Sequence, residues 1–123
     1  TNLYSRIIMN LKIYHAFQGE MKLPNYDTVI IPEIKIRGYL LSLSHPYGRY
    51  KAEFFKSFGF SSDNWELLAS ALKNHARQYE VVKYEETEYG NRYIIEGLIT
   101  APDGRSPEVR VVWFIEKEKN VLI

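Results

Sequence analysis

From Met21 onward, the apolar positions of this chain change period once, from a helical spacing to strict alternation. Val29, Ile30 and Ile31 form a brief apolar stretch. Pro32 then fits the first turn of a helix running to about residue 42, where its missing N–H would have no partner anyway. A second helix is predicted over residues 50–58, with Gly59 after it able to take the left-handed cap conformation. Asp63, with Glu66 three positions on, has the form of a capping box for a third helix. That helix carries Trp65, Leu68, Ala69, Leu72 and Ala76 on one face and ends near Arg77. After Tyr79 the period falls to two. Residues 80–87, 92–100 and 108–116 read as strands, and 121–123 as a fourth. The connections at Tyr89-Gly90-Asn91 and Pro102-Asp103-Gly104-Arg105 are turn-forming and short, which favours an antiparallel meander. The expected fold class is α+β: helices first, then a four-stranded antiparallel sheet with the helices on one face.

Residues 1–20 stand apart. Leu3, Ile7, Ile8, Leu11, Tyr14 and Ala16 admit a helix or a strand, and Gly19 closes the segment. The expected division is therefore an N-terminal extension, 1–20, and one domain, 21–123, with Met21 as a second possible translation start. The chain has 123 residues, 46% apolar and 25% charged, a balance that supports one packed core. A net charge of +1 excludes a nucleic-acid binder driven by bulk charge, although local patches remain open. No cysteine is present, so disulfides, thiolate metal sites and a cysteine nucleophile are excluded. No apolar run reaches the roughly 20 residues that span a bilayer, and the first residues lack a signal-peptide pattern. The expected location is cytoplasmic, with no membrane partner. His15, His45 and His75 are too widely spaced for a zinc site, and there is no phosphate-cradling glycine loop, so no metal or cofactor is expected.

The chemistry concentrates at Ser44-His45-Pro46-Tyr47-Gly48-Arg49-Tyr50-Lys51-Ala52, where three basic side chains meet a helix start. Unpaired N–H groups and the aligned peptide dipoles make such a start attractive to anions. His45 titrates near neutrality, and neighbouring Arg49 and Lys51 would disfavour its charged form, as suits a general base. The plainer alternative is a loop histidine that caps a backbone carbonyl beside solvated cations. Arg92 and Arg110 sit in successive strands and can reach one sheet face, where Tyr89 and Tyr93 would add stacking surface. Cross-strand pairing with Glu96 or Glu116 is the alternative there.

At His45-Pro46-x-Gly48-Arg49-x-Lys51-Ala52-x-x-Phe55 the chain resembles a group of small bacterial and phage-associated domains. The likeness continues at Leu23-Pro24-Asn25, Tyr89-Gly90-Asn91-Arg92-Tyr93, Asp103-Gly104-Arg105 and Val109-Arg110-Val111-Val112-Trp113, covering about residues 21–123. The order of helices followed by a meander is similar to the barnase–EndoU–colicin–RelE class of metal-independent ribonucleases, many of them toxins. That likeness implies cleavage of RNA phosphodiesters. His45 would serve as acid or base, Lys51 and Arg92 would stabilise phosphoryl charge, Arg49 and Arg110 would position the backbone, and Tyr89 or Tyr93 would stack a base. The second expectation is a non-catalytic protein-binding module with an antitoxin-type, immunity-type or phage accessory partner. An apolar edge at 121–123 adds the expectation of a homodimer or a partner strand. Convergence of His45, Lys51 and Arg92 in one cleft favours the enzyme; dispersal favours the binding module.

Overall fold

The computed structural model describes residues 13–16, 21–116 and 121–122. Strand β1 (Ile13–Ala16) comes first, followed by helix α1 (Glu33–Lys35), which widens into a π-helical turn (Ile36–Leu40). Helix α2 (Arg49–Ser57), a 3₁₀ turn (Ser62–Asn64) and helix α3 (Trp65–Gln78) follow, then strands β2 (Val81–Thr87), β3 (Gly90–Leu98), β4 (Glu108–Glu116) and β5 (Val121–Leu122). The chain is α+β, with an antiparallel meander of three long strands, β2, β3 and β4, as the body of the sheet. The expected fourth strand is not part of that body. Val121 and Leu122 form only a two-residue ladder with Ile115 and Phe114, and residue 123 lies outside the described residues. The helices precede the meander, as expected, and β1, which falls in the proposed 1–20 extension, pairs antiparallel with β2. The rest of the proposed 1–20 extension lies outside the described residues.

The first helix is shorter than its pattern predicts, and packing explains its shape. Ile36, Leu40 and Leu41 are all buried, but a regular α-helix would splay Ile36 and Leu41 apart. In a π turn, positions five apart lie over one another, and the Leu41 N–H bonds the Ile36 carbonyl at 2.7 Å. Helix α2 ends as its sequence predicts. Gly59 takes φ 100°, its N–H reaches the Lys56 carbonyl, and the Phe60 N–H reaches that of Phe55. The Phe55 and Phe60 rings meet edge-on behind this cap. The helical run that leads into α3 starts earlier than its proposed cap, as the 3₁₀ turn at Ser62–Asn64. The Ser61 N–H donates to Asn64 Oδ1 at 2.8 Å, so Ser61 and Asn64 take the places expected of Asp63 and Glu66. Both pairs have the same spacing, and tertiary packing selects between them.

The strands alternate as predicted. Val111 and Trp113 face the helices and are buried, while Arg110 and Phe114 face away. Trp113 is fully buried and anchors the core, whereas Trp65 packs half-buried at its margin. His75 ties α3 to the sheet. Its Nε2 donates to the Val109 carbonyl at 3.2 Å, and burial holds its imidazole below the ordinary value. Among the described residues, no helix is long and apolar enough to cross a membrane.

Candidate functional site

The segment at residues 44–52 folds as a helix start built around His45. The backbone N–H groups of Tyr47 and Gly48 both donate to His45 Nδ1 at 3.0 Å. A ring nitrogen that accepts two hydrogen bonds carries no proton, so the proton sits on Nε2. His45 thus does for this turn what an asparagine or aspartate does in an Asx turn. It bonds backbone amides rather than a carbonyl. Gly48 is required by close approach: a Cβ there would collide with the Tyr39 carbonyl oxygen. Behind it, Ala52 is fully buried and Phe55 nearly so.

Tyr39, which the sequence pattern leaves as an ordinary helix position, is the hub of this region. The His45 ring lies edge-on to it at 4.7 Å between centroids. Lys51 Nζ stands 5.9 Å and Lys35 Nζ 5.8 Å from the Tyr39 ring centroid, both within cation–π range. Lys35 was also missed. It precedes Tyr39 by four positions, and burial pushes its amine down to about 7. Lys-x-x-x-Tyr on a predicted helix was the available signal. Arg49 is exposed and folds back on Tyr50, with its guanidinium 4.9 Å from the ring centroid and Nη2 donating to the tyrosine hydroxyl.

Arg92 and Arg110 share one sheet face, as expected, but it is the face turned away from the helices. Each is paired with a carboxylate directly across a ladder. Arg92 bonds Glu85 of β2, and both side chains are largely buried, at 14% and 9% exposure. Burial lowers the Arg92 guanidinium from its ordinary value, with Glu85 opposing the shift. Arg110 donates to Glu96 at 2.9 Å in a more exposed pair. Tyr93, expected as a stacking platform, is in the core at 6% exposure, with its ring 5.1 Å from that of Tyr84. Its position on β3 faces the helices, so it cannot meet a base. Tyr89 is exposed in the β2–β3 turn. That turn is held by Thr87 Oγ1, which accepts from the Tyr89 and Gly90 N–H groups. Of the proposed set, Tyr39 gathers His45 and Lys51, while Arg92 stands apart on the other sheet face.

A groove of roughly 540 Å³ opens between α2 and β4. Tyr39, Tyr50, Lys51 and Phe54 line one side, and the β4 segment from Glu108 to Val112 lines the other. Tyr50 and Phe54 are exposed, the former at 68%. The groove thus offers aromatic surface, one lysine with no ion pair among the described residues, and a strand edge. The end of α2 is held in place from the β3–β4 turn. Arg105 there donates to the Ser57 carbonyl at 2.8 Å and stacks on Phe58.

No curated protein and no solved structure is similar enough to this chain to count as a match. Residues 22–122 match a family model described as a domain of unknown function, DUF6883. The match spans the helix start, the groove and the whole three-stranded meander, and the chain belongs to that family.

Proposed function

We propose that this domain is a non-catalytic protein-binding module that docks through the groove between α2 and β4. The observation that carries this reading is the fate of the cations. His45 Nδ1 is engaged by two backbone amides and Arg92 by Glu85, on surfaces separated by the sheet. Metal-independent cleavage of RNA needs an available base beside cations that face the phosphate. The groove instead exposes aromatic rings, which protein interfaces favour at their centres, beside a lysine that is in no ion pair among the described residues. The ribonuclease reading keeps one observation, the approach of His45 and Lys51 to a common Tyr39 ring.

The test is selection of random dodecapeptides displayed on phage against the wild-type domain and against Phe54→Glu. Phe54 is 38% exposed and its ring also rests on Phe55 and Phe58, so the variant is compared after its thermal melt shows it folded. Peptides enriched on wild type and lost on the variant are the expected result. The absence of enrichment overturns the reading. So does cleavage of a single-stranded RNA in the presence of a metal chelator that disappears in His45→Ala.

A further inference from the structure

Helix α2 buries one face and presents the other to the groove. Ala52 and Phe55 are buried, while Tyr50, Lys51 and Phe54 are exposed and line the groove. Tyr50 and Phe54 are four positions apart, so their rings form one ridge, with Lys51 beside it. Between that ridge and β4, the buried side chains of Leu40, Phe55, Leu72 and Val111 make an apolar floor. Apolar and cationic groups therefore stand on the same wall, within one helical turn of each other. A ligand for this wall has to bring apolar and acidic groups on one side as well.

The sign of that ligand follows from charge. Helix α2 carries Arg49, Lys51 and Lys56 against the single carboxylate of Glu53, three cations to one anion, in a chain whose net charge is only +1. None of the three cations is in an ion pair among the described residues. Across the groove, Arg110 is matched by Glu96, and Glu108 is the one carboxylate of the lining. A partner thus meets positive potential along the α2 wall. Its backbone form follows from length and spacing. The β4 wall runs from Glu108 to Val112, about 13 Å at the rise of a strand. About nine residues of α-helix cover that distance, enough for anchors at i, i+3 or i+4, and i+7. An extended segment would turn only every second side chain to the groove, and apolar and acidic groups would compete for those few places. A helical stripe is wide enough to set them side by side. We infer, resting on the binding reading above, that the groove takes a short amphipathic helix of a partner protein. Its apolar stripe packs on Tyr50, Phe54 and the floor, and carboxylates on the flank of the stripe meet Lys51.

The experiment sequences the displayed dodecapeptides that wild type enriches and Phe54→Glu loses. They are expected to repeat apolar residues at i, i+3 or i+4, and i+7, with aspartate or glutamate beside them. The most enriched peptide is then made with blocked ends, together with one variant carrying a central proline and one with lysine at each acidic position. Binding to the full chain is read by amide chemical shifts, and helix formation by the circular dichroism gained on mixing. The parent peptide is expected to shift amides of α2 and of β4 from Glu108 to Val112 and to gain helical signal. Proline is expected to weaken it about a hundredfold, since it breaks a helix. Lys51→Glu is expected to weaken it about tenfold and to favour the lysine variant. Selected peptides that alternate apolar and polar residues, or that bind equally well with proline, overturn the helix. Equal binding of the acidic and lysine forms overturns the charge preference. Both results leave the protein-binding reading standing. If the library yields no binder, both fall. Self-association of the chain that is lost in Phe54→Glu, with no peptide binding, would make a second copy the occupant and overturn the inference.

Discussion

Arg92 separates a structural reading from a catalytic one by a measurable free energy. Its guanidinium bonds Glu85 across the β2–β3 ladder, with side chains only 14% and 9% exposed. Removing one member of such a pair leaves the other charge desolvated, which costs about 3–5 kcal/mol for a fully buried pair. Because a little water reaches this pair, Arg92→Met should lie near the lower end, at about 3 kcal/mol. That is a large share of a domain's stability of about 5–15 kcal/mol and corresponds to a fall of about 10 °C in melting temperature.

The control is the double variant Glu85→Met/Arg92→Met. Both charges then go, the cross-strand contact becomes apolar, and stability should return to within about 1 kcal/mol of wild type. Urea unfolding followed by tryptophan fluorescence gives all four corners of the cycle, since Trp113 is buried beside this part of the sheet. Glu85→Met should cost about as much as Arg92→Met, so the coupling, the two single costs less that of the double variant, is about 5 kcal/mol. If Arg92→Met unfolds at the wild-type urea concentration, the ion pair contributes little and the guanidinium is free for another task. Arg92 could then serve in catalysis.

Three further outcomes test the local physics. Burial holds the folded-state His75 below its ordinary value, so the unfolded chain binds the extra proton first; stability should decline as pH falls below about 6.5, by at most about 1.4 kcal/mol per pH unit, and level off below the folded-state value. His75→Gln should flatten that slope in pH-dependent urea unfolding, and an unchanged slope would refute the assignment. Gly48→Ala should cost about 1–3 kcal/mol, because the new methyl meets a backbone carbonyl that cannot move aside, and the unfolding midpoint reports it. His45→Ala should lose about 1 kcal/mol of stability as a missing cap does, with His45→Asn recovering part of it; thermal melts that place alanine level with wild type would contradict the capping role.

The elements that the sequence makes legible are those decided locally. The alternation over Val109, Val111 and Trp113 gives β4 and its buried face directly, and Gly59 after a helical period gives the end of α2. What it hides depends on distant partners. The π turn exists because Ile36 and Leu41 must both reach the core, a demand invisible within the helix itself. Arg110 with Glu96 is the cross-strand pair that alternation allows one to name. Arg92 with Glu85 depends on the β2–β3 register, which shifts between Val81 and Lys83. Tyr93 falls on the helix face of the sheet by the same alternation that puts Arg92 on the opposite face, so the two never shared a surface.

The motif that most resembles an active site divides by the same reasoning. In His45-Pro46-x-Gly48-Arg49-x-Lys51-Ala52-x-x-Phe55, the histidine accepts two amides and the glycine admits the Tyr39 carbonyl. The alanine and phenylalanine fill the core. Folding accounts for each of these residue types, and none needs a substrate to explain it. Arg49 and Lys51 are different: both are exposed and neither is in an ion pair among the described residues. Of the two, only Lys51 lines the groove. A recognition role there predicts a dissociation that His45 cannot show. Lys51→Ala should leave stability within about 0.5 kcal/mol of wild type, as ordinary surface substitutions do, while weakening the peptides selected on the groove. His45→Ala should lower stability and leave the affinity of the folded fraction unchanged. If the two variants instead lose binding together at full stability, His45 takes part in recognition, and the division between scaffold and site within this motif is drawn in the wrong place.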